Sequence, residues 1–161
     1  MKIIIMREEG GLRSNYPAVE QYKVNPIIFN TNKGRILIEA FPEVAPKHYE
    51  QFATIIRSGD YEGTKFHRVI EGFMAQFGMH GDPNIGQKWS AASIQDDPMV
   101  KSNQRGYISF AKTNAPNSRS VQFFINFKDN GSLDAYGFSP FGLVSEGMEV
   151  ISTLGVIISL T

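Results

Sequence analysis

The sequence contains no cysteine, no excess of charge of either sign and no long apolar run. The missing cysteines exclude disulfides, thiolate zinc sites, iron–sulfur clusters and cysteine nucleophiles. Sixteen Lys and Arg balance sixteen Asp and Glu, so the chain lacks the basic surface expected of a protein that binds nucleic acid or an anionic membrane. The apolar run Lys2–Met6 ends at Arg7, too soon for a signal peptide or a membrane helix. We therefore expect a soluble cytoplasmic protein, although a mature exported protein that had lost its signal would have the same features.

The composition is that of one globular domain. The chain has 161 residues, of which 42% are hydrophobic and 20% are charged, and this balance argues against intrinsic disorder. Residues 7–25 are polar and rich in turn-forming residues. We interpret residues 1–23 as an N-terminal extension that packs on the domain or trails from it. The domain itself is expected to span residues 24–161.

Short β-type segments dominate this domain. Residues 26–31 and 35–40 flank an Asn-x-Gly turn, which predicts a β-hairpin. Apolar side chains at helical spacing predict a helix over residues 45–58. Further strands are expected at 64–70, 73–77, 107–111, 122–125, 141–144 and 156–160, a second helix at 148–154, and long loops at 59–63, 78–105 and 126–140. Seven or eight short strands with two helices favour a β-barrel or a β-sandwich.

The usual arrangements for metal or covalent catalysis are missing from the sequence. His48, His67 and His80 do not have the spacing of metal ligands. Neither a glycine-rich phosphate loop nor a nucleophile elbow occurs. Asp96 and Asp97 are adjacent in a polar stretch, where neighbouring side chains diverge, so they do not suggest a general acid–base pair. We expect no metal and no cofactor.

Two polar side chains stand out within an aromatic segment. Residues 66–78 read FHRVIEGFMAQFG, and strand alternation places Arg68 and Gln76 within a sheet rich in Phe and Met. An arginine embedded in apolar surface needs a partner or a task. From spacing alone, a salt bridge at the rim or a side-chain stem lying over apolar surface is favoured over a functional role.

Two further segments change this balance. Residues 110–126 read FAKTNAPNSRSVQFFIN, and residues 133–148 read LDAYGFSPFGLVSEGM. Together with the first segment they resemble the cyclophilin family of peptidyl-prolyl cis/trans isomerases, through the patterns F-H-R-V-I-x-G-F-M-x-Q, N-S/T-x-x-x-Q-F-F-I-N and F-G-x-V-x-x-G-M. The resemblance covers about residues 24–161. The loop 112–117 is similar to that of bacterial-type members, with the pattern A-[KR]-T-N-x-P.

The resemblance implies a fold and a site. The fold would be a closed eight-stranded antiparallel β-barrel with a helix capping each end, and the site would lie on its outer surface. By motif position, Arg68 is the catalytic arginine. Gln76, also assigned as catalytic, holds the substrate backbone, as does the main chain near Thr113 and Asn114. The residues that would line or close an apolar proline pocket are Phe73, Met74, Phe124, Leu133 and Phe138.

The implied function is rotation about Xaa-Pro peptide bonds, which assists protein folding and needs no cofactor. Proline-containing peptides and unfolded chains would be the partners of a monomeric enzyme. A non-catalytic proline-peptide binding module or chaperone on the same scaffold is the alternative, because such a module needs the pocket but not Arg68. A structural protein that assembles through residues 1–23 is a third interpretation.

Some positions depart from the family pattern. Phe77 stands where Gly is usual, and its bulk could narrow the groove or fill the base of the loop. Ser132 stands where many eukaryotic members have the Trp associated with cyclosporin binding, so we expect weak cyclosporin binding. Phe138 stands where many members have His. The loop 79–97 does not follow the usual pattern, which leaves the second subsite open.

The remaining residues are assigned to the scaffold. His67 is expected to be a structural histidine, satisfied beneath the site. Arg119 either borders the subsite that senses residues before proline or is a solvated loop residue. The expected core includes Phe29, Ile36, Ile38, Phe52 and Phe110.

Overall fold

Eight antiparallel strands form one sheet in the computed structural model, which describes residues 3–6 and 26–153. The strands are β1 (Ile3–Met6), β2 (Ile27–Thr31), β3 (Gly34–Ala40), β4 (Arg68–Ile70), β5 (Met74–Phe77), β6 (Tyr107–Phe110), β7 (Phe123–Asn126) and β8 (Pro140–Glu146). Their order across the sheet is β1-β2-β3-β8-β6-β7-β5-β4. The prediction of a mainly β, antiparallel fold is confirmed. Within the described ranges no strand pairing joins β4 to β1, so the closed eight-stranded barrel stays a prediction.

Three α-helices and a 3-10 helix accompany the sheet. They are α1 (Pro46–Ser58), α2 (Pro83–Ser90), α3 (Met148–Ser152) and the 3-10 helix Gly131–Tyr136. Pro46 suits the first turn of α1 because its missing N–H would have no partner there. Gly59 ends the same helix in a left-handed conformation, with φ of 81°. These bounds of α1 and the start of α3 agree with the sequence prediction.

The helix α2 was not predicted, since residues 78–105 were expected to form a loop. Its N-terminus carries an ordinary signal: the Asp82 carboxylate accepts a hydrogen bond from the Asn84 amide at 2.9 Å, and Pro83 follows the cap. Only Trp89 of this helix is buried. The prediction of two helices was therefore wrong, because a short helix with a mostly exposed surface lacks the apolar periodicity that the prediction used.

The predicted hairpin is confirmed, with Ile27 opposite Ile38 and Thr31 opposite Gly34. The strand expected at 64–70 is shorter and begins at Arg68. The strand expected at 156–160 lies outside the described residues. Most of the expected extension does too, apart from residues 3–6, whose backbone pairs with β2.

The core is a cluster of aromatic rings. All five predicted core residues are fully buried: Phe29, Ile36, Ile38, Phe52 and Phe110. Phe77 joins them, and its ring packs edge-on against Phe123 with centroids 4.3 Å apart. The bulk of Phe77 therefore fills the interior beneath the sheet and does not narrow a groove on the outside.

Candidate active site

Strand pairing brings the two candidate catalytic side chains together. Arg68 on β4 is opposite Gln76 on β5, and Gln76 is in turn opposite Phe124 on β7. Residues that are paired directly across an antiparallel sheet project from the same face. The three side chains therefore form a row across the sheet, and alternation along β5 adds Met74 to the same face.

A cavity of about 170 Å³ opens beside this row. Its walls come from the β4–β5 hairpin, from β7, from the segment that follows β6 and from the 3-10 helix with the residues after it. The lining residues are Arg68, Phe73, Met74, Gln76, Ala111, Lys112, Phe124, Leu133 and Phe138. Seven of the nine residues that the sequence assigned to the site thus surround one cavity.

The polar side of the cavity is a chain of hydrogen bonds. Arg68 Nη1 donates to Gln76 Oε1 at 3.2 Å, and Gln76 Nε2 donates to Gln122 Oε1 at 2.8 Å. Arg68 is exposed, and it forms no ion pair with any carboxylate in the described part of the chain. Because a guanidinium has several N–H donors and only one of them is used here, the others remain available to a ligand.

The other side of the cavity is apolar. Met74 and Phe124 are almost completely buried, with 3% and 5% of their surface exposed. The ring of Phe138 stands edge-on to that of Phe124, with centroids 5.5 Å apart. Phe73 and Leu133 are half-buried at the opening. This surface suits a small apolar ring, because such a ring loses contact with water without leaving a polar group unpaired.

Thr113 and Asn114 do not line this cavity. Thr113 lines a neighbouring cavity of about 230 Å³ together with Gln76 and Gln122. Asn114 lines a third cavity, of about 260 Å³, on the other side of the loop. The Thr113 amide donates to Ser118 Oγ at 3.0 Å, which fixes the loop. The main-chain role assigned to both residues stays a prediction.

Sequence reasoning missed three residues that the structure brings to the site. Ala111 and Lys112 line the cavity, and Gln122 accepts the hydrogen bond that orients Gln76. A signal for Gln122 was available, because it is the glutamine of the N-S/T-x-x-x-Q-F-F-I-N pattern. Ala111 and Lys112 begin the loop pattern A-[KR]-T-N-x-P, which gave neither of them a role at the site.

Arg119 is not a solvated loop residue, which corrects one of its two sequence interpretations. Its side chain is 1% exposed, pairs with Asp96 and donates to the Gly137 carbonyl oxygen. Burial raises the pKa of Asp96, but the hydrogen bond from Asn117 and the charge of Arg119 outweigh it and lower the pKa overall. Arg119 lines the third cavity and joins the segment after α2, through Asp96, to Gly137, which precedes Phe138.

His67 is exposed, so its interpretation as a structural histidine beneath the site was wrong, and the buried histidine is His48 of α1. The His48 amide donates to Asp97 Oδ2 at 2.9 Å, and the Asp97 amide donates to His48 Nε2 at 3.1 Å. Burial, reinforced by the charge of Arg119, lowers the pKa of His48 to about 4. His48 is thus a neutral structural residue, outside the cavity lining.

Residues 3–6 and 26–153 contain neither a cluster of metal ligands nor a membrane-spanning helix. No group of three metal-ligating side chains is placed to hold an ion, and none of the helices is long and apolar enough to cross a membrane. Fold and site together define a mainly β protein with a small apolar pocket beside an exposed guanidinium that has no carboxylate partner in the described part of the chain.

Comparison with known proteins identifies the family. Residues 27–158 match the family model described as cyclophilin type peptidyl-prolyl cis-trans isomerase. The chain is 39% identical over 139 residues to the peptidyl-prolyl cis-trans isomerase cyp18 of Streptomyces antibioticus, covering 81% of this chain and 83% of that one. It is 38% identical over 136 residues to peptidyl-prolyl cis-trans isomerase B of Escherichia coli, covering 80% and 82%. The chain belongs to the cyclophilin-type peptidyl-prolyl cis-trans isomerase family.

A solved structure agrees with this assignment. The cyclophilin type isomerase of Cryptosporidium parvum, crystallised in the presence of the dipeptide Ala-Pro, superposes with a TM-score of 0.69 at 31% identity. The match covers 81% of this chain and 84% of that one.

Proposed function

We propose that this chain catalyses cis/trans rotation about Xaa-Pro peptide bonds in the cavity beside Arg68 and Gln76, and thereby assists protein folding. One observation carries the proposal: a guanidinium without a carboxylate partner in the described chain stands at the edge of an apolar pocket. The ligand class follows from the Ala-Pro dipeptide present with the Cryptosporidium parvum relative. Proline-containing peptides and unfolded chains would be the substrates.

The chemical task is to stabilise a twisted amide. Resonance holds the Xaa-Pro amide planar, with a rotation barrier of about 18–20 kcal/mol. In the twisted state the nitrogen lone pair is localised, and a free N–H of Arg68 can donate to it. This interaction is absent from the planar ground state, so it lowers the barrier and does not merely tighten binding. Arginine suits the role because its guanidinium stays charged and holds its donors in a rigid fork.

Gln76 would hold one side of the bond while the other side turns. Its Nε2 donates to Gln122 and its Oε1 accepts from Arg68, so the orientation of the amide group is fixed and one N–H is left for a substrate carbonyl. The main chain near Thr113 and Asn114 would hold the substrate backbone beyond the pocket. The walls formed by Phe124 and Phe138 would exclude water and strengthen the contact with Arg68.

The required acceleration is modest for an enzyme. Uncatalysed prolyl isomerisation takes tens of seconds or longer. Bringing it to milliseconds requires roughly 10⁴–10⁵-fold, or about 5.5–7 kcal/mol. A positioned arginine, a held carbonyl and a buried ring are sufficient to supply stabilisation of this size.

Several further features belong to the same proposal. The sheet would close into an eight-stranded barrel, with residues 24–161 as the isomerase domain and residues 1–23 as an extension. The protein would act as a cytoplasmic monomer. Cyclosporin would bind weakly, since Ser132 offers no large ring beside Leu133; a fluorescence titration that gave nanomolar affinity would contradict this.

The test is an isomerase assay by NMR exchange on an Ala-Ala-Pro-Phe peptide. Arg68→Ala should lower kcat/KM by about 10²–10³-fold, as the loss of a donor to the transition state does. Arg35→Ala is the matched control, because Arg35 is an exposed arginine on β3 away from the cavity, and it should keep the wild-type rate. Equal rates for Arg68→Ala and wild type would rule out the proposed chemistry. Peptide binding without acceleration would favour the non-catalytic binding module.

A further inference from the structure

Lys112 occupies a position that the family assignment does not explain. It lines all three adjoining cavities: the proline cavity, the cavity between Gln76 and Gln122, and the cavity beside Arg119. Its ammonium lies 4.9 Å from the centroid of the Phe138 ring and 3.4 Å from the Thr113 carbonyl oxygen. Neither contact is with a carboxylate, so the charge of Lys112 is not neutralised by either of them.

The first two of these cavities have no negative charge to balance it. No carboxylate from the described ranges lines either of them, whereas Lys112 lines both and Arg68 lines the proline cavity. Asp96 and Asp97 line only the third cavity. A substrate in the proline cavity would therefore meet two cations.

The carboxylates near Lys112 already have partners. Asp96 pairs with Arg119, and Asp97 Oδ2 accepts from the His48 amide at 2.9 Å. Asp134, next to Leu133 in the chain, accepts hydrogen bonds from Ser102 Oγ and from Asn103. No ion pair involving Lys112 is formed within residues 3–6 and 26–153. An acidic group of the substrate could thus pair with Lys112 without displacing a carboxylate of the described chain.

We propose that Lys112 is a specificity-determining residue that favours substrates with Asp or Glu within the two positions before proline. The inference rests on the proposed function, which places the proline ring in the cavity beside Arg68. The chain before proline would then pass Lys112 and enter the cavity lined by Gln76 and Gln122. A neutral protein would in this way carry a locally cationic substrate site.

The test compares peptides that differ in one side chain. Peptides of the form Ala-Xaa-Pro-Phe and Xaa-Ala-Pro-Phe, with Xaa as Glu, Gln or Lys, are assayed by NMR exchange, and their Kd values are measured by shift titration. Because Lys112 is half-exposed, the wild type should prefer Glu over Gln by about two- to fivefold in kcat/KM at low salt. The preference should approach one near 1 M salt, where charges are screened within about 3 Å.

Two variants assign the preference to this residue. Lys112→Gln should bring the Glu-to-Gln ratio to about one. Lys101→Gln is the matched control, because the Lys101 ammonium also lies over a phenylalanine ring, that of Phe41 at 5.1 Å, but lines none of the three cavities; it should keep the wild-type ratio.

The outcomes separate this inference from the function beneath it. A ratio of one in the wild type at low salt, or a ratio that survives in Lys112→Gln, would overturn the role of Lys112 even if every peptide is isomerised. If no peptide is isomerised faster than in buffer, the proposed function fails. A Kd ratio that favours Glu and disappears in Lys112→Gln would then still support Lys112 as the residue that selects the ligand.

Discussion

The stability of the fold should depend on pH through one buried histidine. His48 lies in the first turn of α1, with its ring beside that of Phe110 and its Nε2 accepting the Asp97 amide. A protonated imidazole has no lone pair for that hydrogen bond. Burial and the charge of Arg119 oppose protonation of His48, and the charges of Asp97 and Asp96 offset only part of this effect. The folded protein therefore keeps His48 neutral to a lower pH than the unfolded chain does.

The size of the effect follows from the two pKa values. The pKa of His48 is lowered from 6.5 to about 4, which corresponds to about 3 kcal/mol of unfolding free energy. Between these values the unfolded chain binds the proton and the folded protein does not. The contribution of His48 to the free energy of unfolding should therefore have its full value above pH 6.5, decrease as the pH falls and disappear near pH 4. Asp96 and Asp134, whose pKa values are lowered from 3.8, act below this window.

Urea unfolding between pH 4.5 and 7.5 measures this dependence, with the fluorescence of Trp89, the only tryptophan, as the probe. His48→Gln should remove most of the slope. His67→Gln is the matched control, since His67 is exposed, and it should keep the wild-type slope. An unchanged slope in His48→Gln would refute the reasoning. If that variant does not fold, an NMR titration of the wild-type imidazole decides, and a midpoint near 6.5 would be the contradicting result.

Two substitutions test the scaffold around the site. Gly78 has a φ of 112°, and a Cβ there would collide with the Val121 carbonyl oxygen, so Gly78→Ala should lower the free energy of unfolding by ~3 kcal/mol or more in urea. Gly63 also has a positive φ but lies in open space, so the control Gly63→Ala should cost only about 1 kcal/mol. Equal losses in the two variants would contradict the close approach. Arg119→Met should cost about 1–2 kcal/mol, because Asp96, whose side chain is 36% exposed, loses its charge partner and the Gly137 carbonyl oxygen loses a donor. Adding Asp96→Asn should restore part of the loss, and a double variant less stable than the single one would show that the ion pair is not the cause.

The elements that the sequence predicted well are those with strong local patterns. The hairpin of β2 and β3 follows from alternation around a short turn, and α1 follows from apolar spacing between a proline and a glycine. The helix α2 has no such pattern, because only Trp89 of this helix is buried and Ile85 is only partly buried against the core. Its position depends on Asp60, which is distant in sequence and whose carboxylate accepts a hydrogen bond from Trp89 Nε1 at 2.7 Å.

In the candidate site, too, the sequence predicted the residues that belong to local motifs but not those whose environment depends on distant parts of the chain. Motif resemblance identified Arg68 and Gln76, and strand pairing places them together. The burial of Arg119 could not be read from its neighbours in sequence, because the carboxylate that pairs with it is in another loop. His67 was expected to be enclosed beneath the site, but it precedes the first residue of β4 and is exposed.

The core and the site are coupled through the register of β5. Along this strand Gln76 projects toward the cavity, while Phe77 projects into the aromatic core against Phe123. A slip of one residue would exchange the two side chains, burying an amide among aromatic rings and removing the partner of Arg68. The close approach of Gly78 to Val121 opposes the same slip, because no larger residue fits there. The aromatic core beneath the sheet therefore does more than stabilise the fold, since it fixes which side chains face the substrate.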